Sequence, residues 1–173
     1  MKPLIVQKYG GATLADPIKI KAVATRIAEQ AKENSLVIVV SAMGKTTNSL
    51  IDLANQISDN PTRREMDMLL TVGERISMSL VSMALNDLGC PAISFTGSQA
   101  GIFTDDSHVN AFIRDVKPTR VQEALKENKV VILAGFQGVS PMTKEITTLG
   151  RGGSDTSAVA MAASFQADRC EIL

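Results

Sequence analysis

A largely parallel α/β sheet, sandwiched between helices in three layers, is the fold that this 173-residue sequence predicts. Three observations point to it. Apolar runs alternate with amphipathic stretches of helical period along the chain. The runs Leu36–Val40 and Val130–Leu133 lack apolar/polar alternation, as strands buried on both faces do. Glycines and hydroxyls collect at the expected strand ends, in Gly10-Gly11, Ser41–Thr47 and Gly150–Ser154, where ligands bind in such sheets.

Taken in order, Leu4–Tyr9 forms the first strand and Gly10-Gly11 stops it. Asp16-Pro17 supplies an N-cap and a proline at the first helical position. Ile20, Val23, Ala24, Ile27, Ala28 and Ala31 then share one helical face. Beyond Leu36–Val40, a second helix is marked by Leu50, Leu53, Ala54 and Ile57, with Pro61 as its breaker. Met66–Leu70 and Ile76–Leu88 read as two helical pieces joined through Val72-Gly73. Strand signals return at Ala92–Phe95 and Phe112–Val116, a helix at Pro118–Glu127, and a strand at Val130–Leu133. A hairpin is expected over 136–149 and an alanine-rich helix over Thr156–Ser164. Met66, Met68, Met78 and Met83 lie at helical spacing and read as core or interface filler. Cys170–Leu173 begins another strand, so residues 1–173 read as the amino-terminal part of a longer domain.

Composition narrows the chemistry. Lys plus Arg equals Asp plus Glu at 18 each, so no overall field recruits nucleic acid or an anionic membrane. Cys90 and Cys170 are far apart, and His108 is the one histidine. That pattern disfavours a disulfide scaffold, a metal site and Ser/His/Asp hydrolysis. His108 follows Asp105-Asp106-Ser107 and reads as a solvated or loop-satisfied histidine. No run is apolar enough to suggest a membrane span and the start reads as a strand, so the cytoplasm is the expected location. Chemistry must then run on Lys, Arg, carboxylates, hydroxyls and backbone amides.

Lys8-Tyr9-Gly10-Gly11 sets a lysine at a strand end, before glycines whose amides can approach phosphate oxygens. A plain tight turn gives the same pattern, and neither a Walker A loop nor GxGxxG is present. Leu149-Gly150-Arg151-Gly152-Gly153-Ser154-Asp155 is more specific. Its glycines lead into a helix N-terminus, which favours anions, and Arg151 can grip a carboxylate or phosphate with two hydrogen bonds. Ser41 and Thr47 can donate to anionic oxygens, although Thr47 also suits a helix cap. Glu74 sits in an apolar helical stretch and needs a cationic partner there. An i,i+1 pair with Arg75 does not supply one, because adjacent helical residues do not face each other.

Together, Lys8–Gly11, Ser41–Asn48, Arg64–Asp67, Thr71–Ser77, Ser94–Gly101 and Thr148–Asp155 resemble the aspartate kinases of the amino acid kinase family. Their order and spacing cover the whole chain, and Ser94–Gly101 narrows the resemblance to the bacterial lysine- and threonine-regulated type. Tyr9 and Ala12 depart from the commoner Phe and Thr. The resemblance implies an amino-acid-kinase-like fold and transfer of phosphate from ATP, with Mg2+ carried by the nucleotide, to the side-chain carboxylate of L-aspartate. It implies Lys8 and Asp155 as catalytic residues, with Lys8, Tyr9, Gly10, Gly11 and Ser41 at the phosphates. Ser41, Thr47, Glu74, Arg151, Gly152, Gly153 and Ser154 would bind the amino acid, Glu74 by holding its ammonium or by bracing Arg151. No protein-bound metal site is implied. The nucleotide lobe and regulatory domains would lie beyond residue 173, a homo- or hetero-oligomer is expected, and the part spanned here would be inactive alone. The alternatives are a non-catalytic amino-acid-binding module and another kinase of the same family.

Overall fold

The computed structural model describes residues 2–173. The first strand, β1 (Leu4–Tyr9), leads through Gly10-Gly11 to α1 (Pro17–Gln30). Asp16 caps this helix, its carboxylate accepting from the Lys19 amide at 2.9 Å. The chain continues through β2 (Ser35–Val40), α2 (Thr46–Ile57), α3 (Arg63–Leu70), α4 (Val72–Asp87) and β3 (Ala92–Phe95). Next come β4 (Ile102–Thr104), β5 (Ile113–Val116), α5 (Thr119–Lys126), β6 (Val130–Ala134), β7 (Gln137–Val139) and β8 (Ile146–Thr148). Helix α6 (Gly153–Phe165) and β9 (Arg169–Ile172) complete the order.

Five strands form a parallel sheet in the order β3-β6-β2-β1-β9. The two-sided burial expected of its centre is realised, since Leu36–Val40 and Val130–Ala134 are all buried. Alternate residues of these strands feed two cores. Ile5, Tyr9, Ile38, Val40 and Ile132 pack with Ile27 of α1 and Val81 and Leu85 of α4. Val6, Val37, Val39, Val131 and Leu133 pack with Val121 of α5 and Ala158 and Met161 of α6. Each such side chain contributes about 1.5–3 kcal/mol on burial, so the three layers are held chiefly by the central strands.

The structure adds to or corrects the sequence reading at several elements. The expected hairpin, β7-β8, belongs to a second sheet of order β5-β4-β7-β8, and β4 carried too few residues to be foreseen. Helix α2 buries none of its residues; its apolar face, with Ile57 84% exposed, lines an open groove against α3. It also ends before Pro61, where Ser58 turns extended and accepts from the Asn60 amide. Of the four methionines, Met78 is buried whereas Met83 is exposed. Finally, α3 and α4 run on as one helical stretch, Arg63–Asp87, long and apolar enough to cross a membrane. In this fold it packs against the sheets and buries Asp67 and Glu74.

Candidate active site

The carboxyl ends of β1 and β2, with the turn after β6, open into a cleft of about 360 Å³. Two helices begin at its wall, contributing Thr47 from α2 and Gly153, Ser154 and Asp155 from α6, while Glu74 projects from within the continuous stretch of α3 and α4. Helix N-termini present unpaired N–H groups and partial positive charge, so the cleft favours anions.

Of the residues singled out in the sequence, Lys8, Gly11, Ser41, Thr47, Glu74, Arg151, Gly152, Gly153, Ser154 and Asp155 line this cleft. Tyr9 and Gly10 do not. Tyr9 is turned into the core, where its hydroxyl donates to Gln7 Oε1 at 3.3 Å. The Gly10 amide donates to the Leu173 carbonyl at 3.2 Å, which leaves Gly11 as the glycine facing the cleft. Thr47 makes no capping bond and Lys45 occupies the cap position, so its hydroxyl is available to the cleft. Ser154 lies inside the first turn of α6, and Gly152, at φ 75°, is the cap residue.

Charge is distributed around the cleft in three parts. Lys8 Nζ lies 2.8 Å from Asp155 Oδ1, a close ion contact whose angles fall outside hydrogen-bond geometry. Arg151 is exposed, with no ion-pair partner among the described residues. Glu74 is 4% exposed; its Oε1 accepts from the Ala42 amide at 3.1 Å while its buried Oε2 has no partner among the described residues. Burial pushes the Glu74 carboxyl up to about 7, against the opposing pull of the Glu74 and Ala42 amides. The cation that Glu74 needs is therefore not supplied by Arg75.

Phe136 was missed in the sequence. It lines the cleft in a left-handed backbone conformation, φ 69°, uncommon for a bulky residue. Two bonds hold it there: its amide donates to Ser157 Oγ at 3.0 Å and its carbonyl accepts from the Leu149 amide at 2.9 Å. Its only sequence signal was its place after Gly135, at the start of the expected hairpin. Among the described residues no group of three or more His, Cys, Asp or Glu is placed to hold a metal ion.

Residues 3–173 match the model of the amino acid kinase family. The chain belongs to that family. Among curated amino acid kinases, the aspartokinase of Mycolicibacterium smegmatis is 60% identical over 170 residues, which is 98% of this chain and 40% of that protein. The aspartokinase of Geobacillus stearothermophilus is 53% identical, again over 98% of this chain and 42% of its own length. The chain thus spans about 40% of the length of these relatives. Among solved structures, the aspartate kinase from Synechocystis superposes with a TM-score of 0.84 at 54% identity, over 98% of this chain and 28% of that one. Aspartokinase III of E. coli, solved in complex with aspartate and ADP, shares the fold at TM-score 0.86 and 23% identity, over 98% of this chain and 48% of that one.

Proposed function

We propose that the cleft is the aspartate site and part of the phosphate site of an ATP-dependent kinase that phosphorylates the side-chain carboxylate of L-aspartate. The observation that carries this reading is the unfilled pairing of charges. Glu74 has a buried oxygen without a partner, and Arg151 reaches the same cleft as an unpaired guanidinium. An α-amino acid bearing a second carboxylate complements both, its ammonium at Glu74 and a carboxylate at Arg151. Relatives that bear the name aspartokinase at 53–60% identity support the same assignment.

The acceptor carboxylate is ionised at neutral pH, so no general base is required. Alignment and charge compensation remain, and residues of this chain would contribute to both. Lys8, held by Asp155, faces the cleft where charge shifts among the phosphate oxygens during transfer. The Gly11 segment, Ser41 and the first turn of α6 offer hydrogen bonds to the same oxygens. Gly152, Gly153, Ser154 and Thr47 shape the amino acid side of the cleft. MgATP enters as substrate with its metal on the phosphates; Lys8 and the α6 N-terminus suit an anion of that kind. Residues beyond this chain would hold the base and ribose, in a cytoplasmic oligomer.

Titrating the full-length protein carrying this sequence with L-aspartate, with and without a non-hydrolysable ATP analogue, tests the reading. Saturable aspartate binding that tightens with the analogue supports a kinase. Binding indifferent to the analogue favours the amino-acid-binding module, and no binding refutes both.

A further inference from the structure

Outside the cleft, the most densely satisfied polar group is Asp67. It projects from α3 with 0% exposure. Thr148 Oγ1 donates to its Oδ1 at 2.6 Å, and the Val109 amide donates at 3.0 Å to Oδ1 and 3.3 Å to Oδ2. Nδ1 of His108 lies 2.6 Å from Oδ2. One carboxylate therefore joins three segments distant in sequence: α3, the loop 105–111, and the end of β8. A charged acceptor with several donors is worth more than neutral contacts, and removing it leaves those donors buried and unsatisfied.

The consequence reaches the cleft through Gly150. The loop that Asp67 pins forms the surface on which the next turn lies, because a Cβ on Gly150 would collide with Asn110 Oδ1 and stand 3.2 Å from the Val109 carbonyl. The Ala111 amide also donates to the Thr148 carbonyl at 2.8 Å. Gly150, at φ 74°, is followed directly by Arg151, whose side chain has no anchor of its own among the described residues. Arg151 therefore takes its direction from its backbone, which the loop pinned by Asp67 supports on one side and the Leu149–Phe136 bond on the other. Two other ties join α3 to the hairpin: Arg64 Nε to Glu145 Oε2 at 2.9 Å, exposed and worth little, and a buried bond from Gln137 Nε2 to the Thr71 carbonyl at 3.2 Å.

We propose that Asp67, with Thr148 and the 108–109 segment, is a positioning residue for amino acid binding that aims Arg151 through the Gly150 turn. This rests on the reading of Arg151 as the carboxylate grip. Asn at position 67 keeps the size but turns an acceptor toward the Val109 amide and His108 into a donor.

Asp67→Asn, Thr148→Val and Thr148→Ser, made in the full-length protein carrying this sequence, are compared in two measurements. Hydrogen exchange reads the turn independently of any substrate. Asp67→Asn and Thr148→Val are expected to speed exchange at 148–153 and 108–111 at least tenfold while β2 and β6 stay protected, and Thr148→Ser to match the parent. In kinetics, Asp67→Asn is expected to raise KM for aspartate about tenfold or more, with kcat and KM for ATP within about threefold. Unchanged exchange at 148–153 overturns the positioning role, as does a fall in kcat with KM for aspartate unaltered. A parent protein inert toward aspartate refutes the substrate reading instead, and the exchange result still decides the role of Asp67.

Discussion

Glu74 is the residue at which stability and binding pull in opposite directions. Its carboxyl is raised from the ordinary 4.5 to about 7 by burial, so the folded state holds a proton there that the unfolded chain has lost. The stabilising contribution is present below pH 4.5 and is lost as pH rises through 7, an effect of roughly 3 kcal/mol at 1.36 kcal/mol per pH unit. Glu74→Gln removes that loss. Urea denaturation from pH 4.5 to 8 is expected to show the variant gaining on the parent with rising pH; parallel curves would mean that Glu74 is not buried as described. The same carboxylate must be ionised to hold an ammonium, so KM for aspartate is expected to climb toward tenfold per unit as pH falls below 7, and to lose this dependence in Glu74→Gln. At Arg151, replacement by Lys exchanges a planar two-pronged donor for a point charge. Steady-state kinetics should register a loss of about 2 kcal/mol or more in kcat/KM for aspartate.

At the scale of elements, helix propensity and packing conflict at Gly73, the second residue of α4. Alanine is the better helix former by up to about 1 kcal/mol. Its Cβ, however, would stand 2.7 Å from the Ala42 Cβ, where α4 meets the loop after β2. Overpacking costs about 1–3 kcal/mol, so Gly73→Ala is expected to lower the midpoint of chemical unfolding; a raised midpoint would show that the loop yields freely. Contacts of this kind explain which elements the sequence revealed. Strands β1, β2, β3 and β6 and helix α1 were readable because burial pattern, cap and proline agree with the tertiary structure. Helix α2 was readable as a helix, but its apolar face at Leu53 and Ile57 suggested a core that the fold does not provide. Strand β4 is three residues long and owes its place to pairing with β5 and β7, which no local signal encodes.

Across the whole molecule, most of the cleft was visible in the sequence because its parts sit at strand ends and helix starts that composition marks. Lys8, Ser41, Glu74 and Arg151–Asp155 are of that kind. Tyr9 and Gly10 were misplaced because side-chain alternation along β1 and the pairing of Gly10 with Leu173 are tertiary facts. Phe136 and Asp67 were missed or left without a role because each matters through partners 13 to 81 residues away. Phosphoryl transfer to a carboxylate yields an acyl phosphate, which hydroxylamine traps as a stable hydroxamate. The full-length protein carrying this sequence, incubated with MgATP, L-aspartate and hydroxylamine, is expected to release ADP and form aspartyl hydroxamate in equal amounts. Under the same conditions Lys8→Ala should slow both by roughly a hundredfold, the usual cost of one transition-state donor. ADP release without hydroxamate, or hydroxamate formed equally well with Lys8→Ala, would contradict this reading of the cleft.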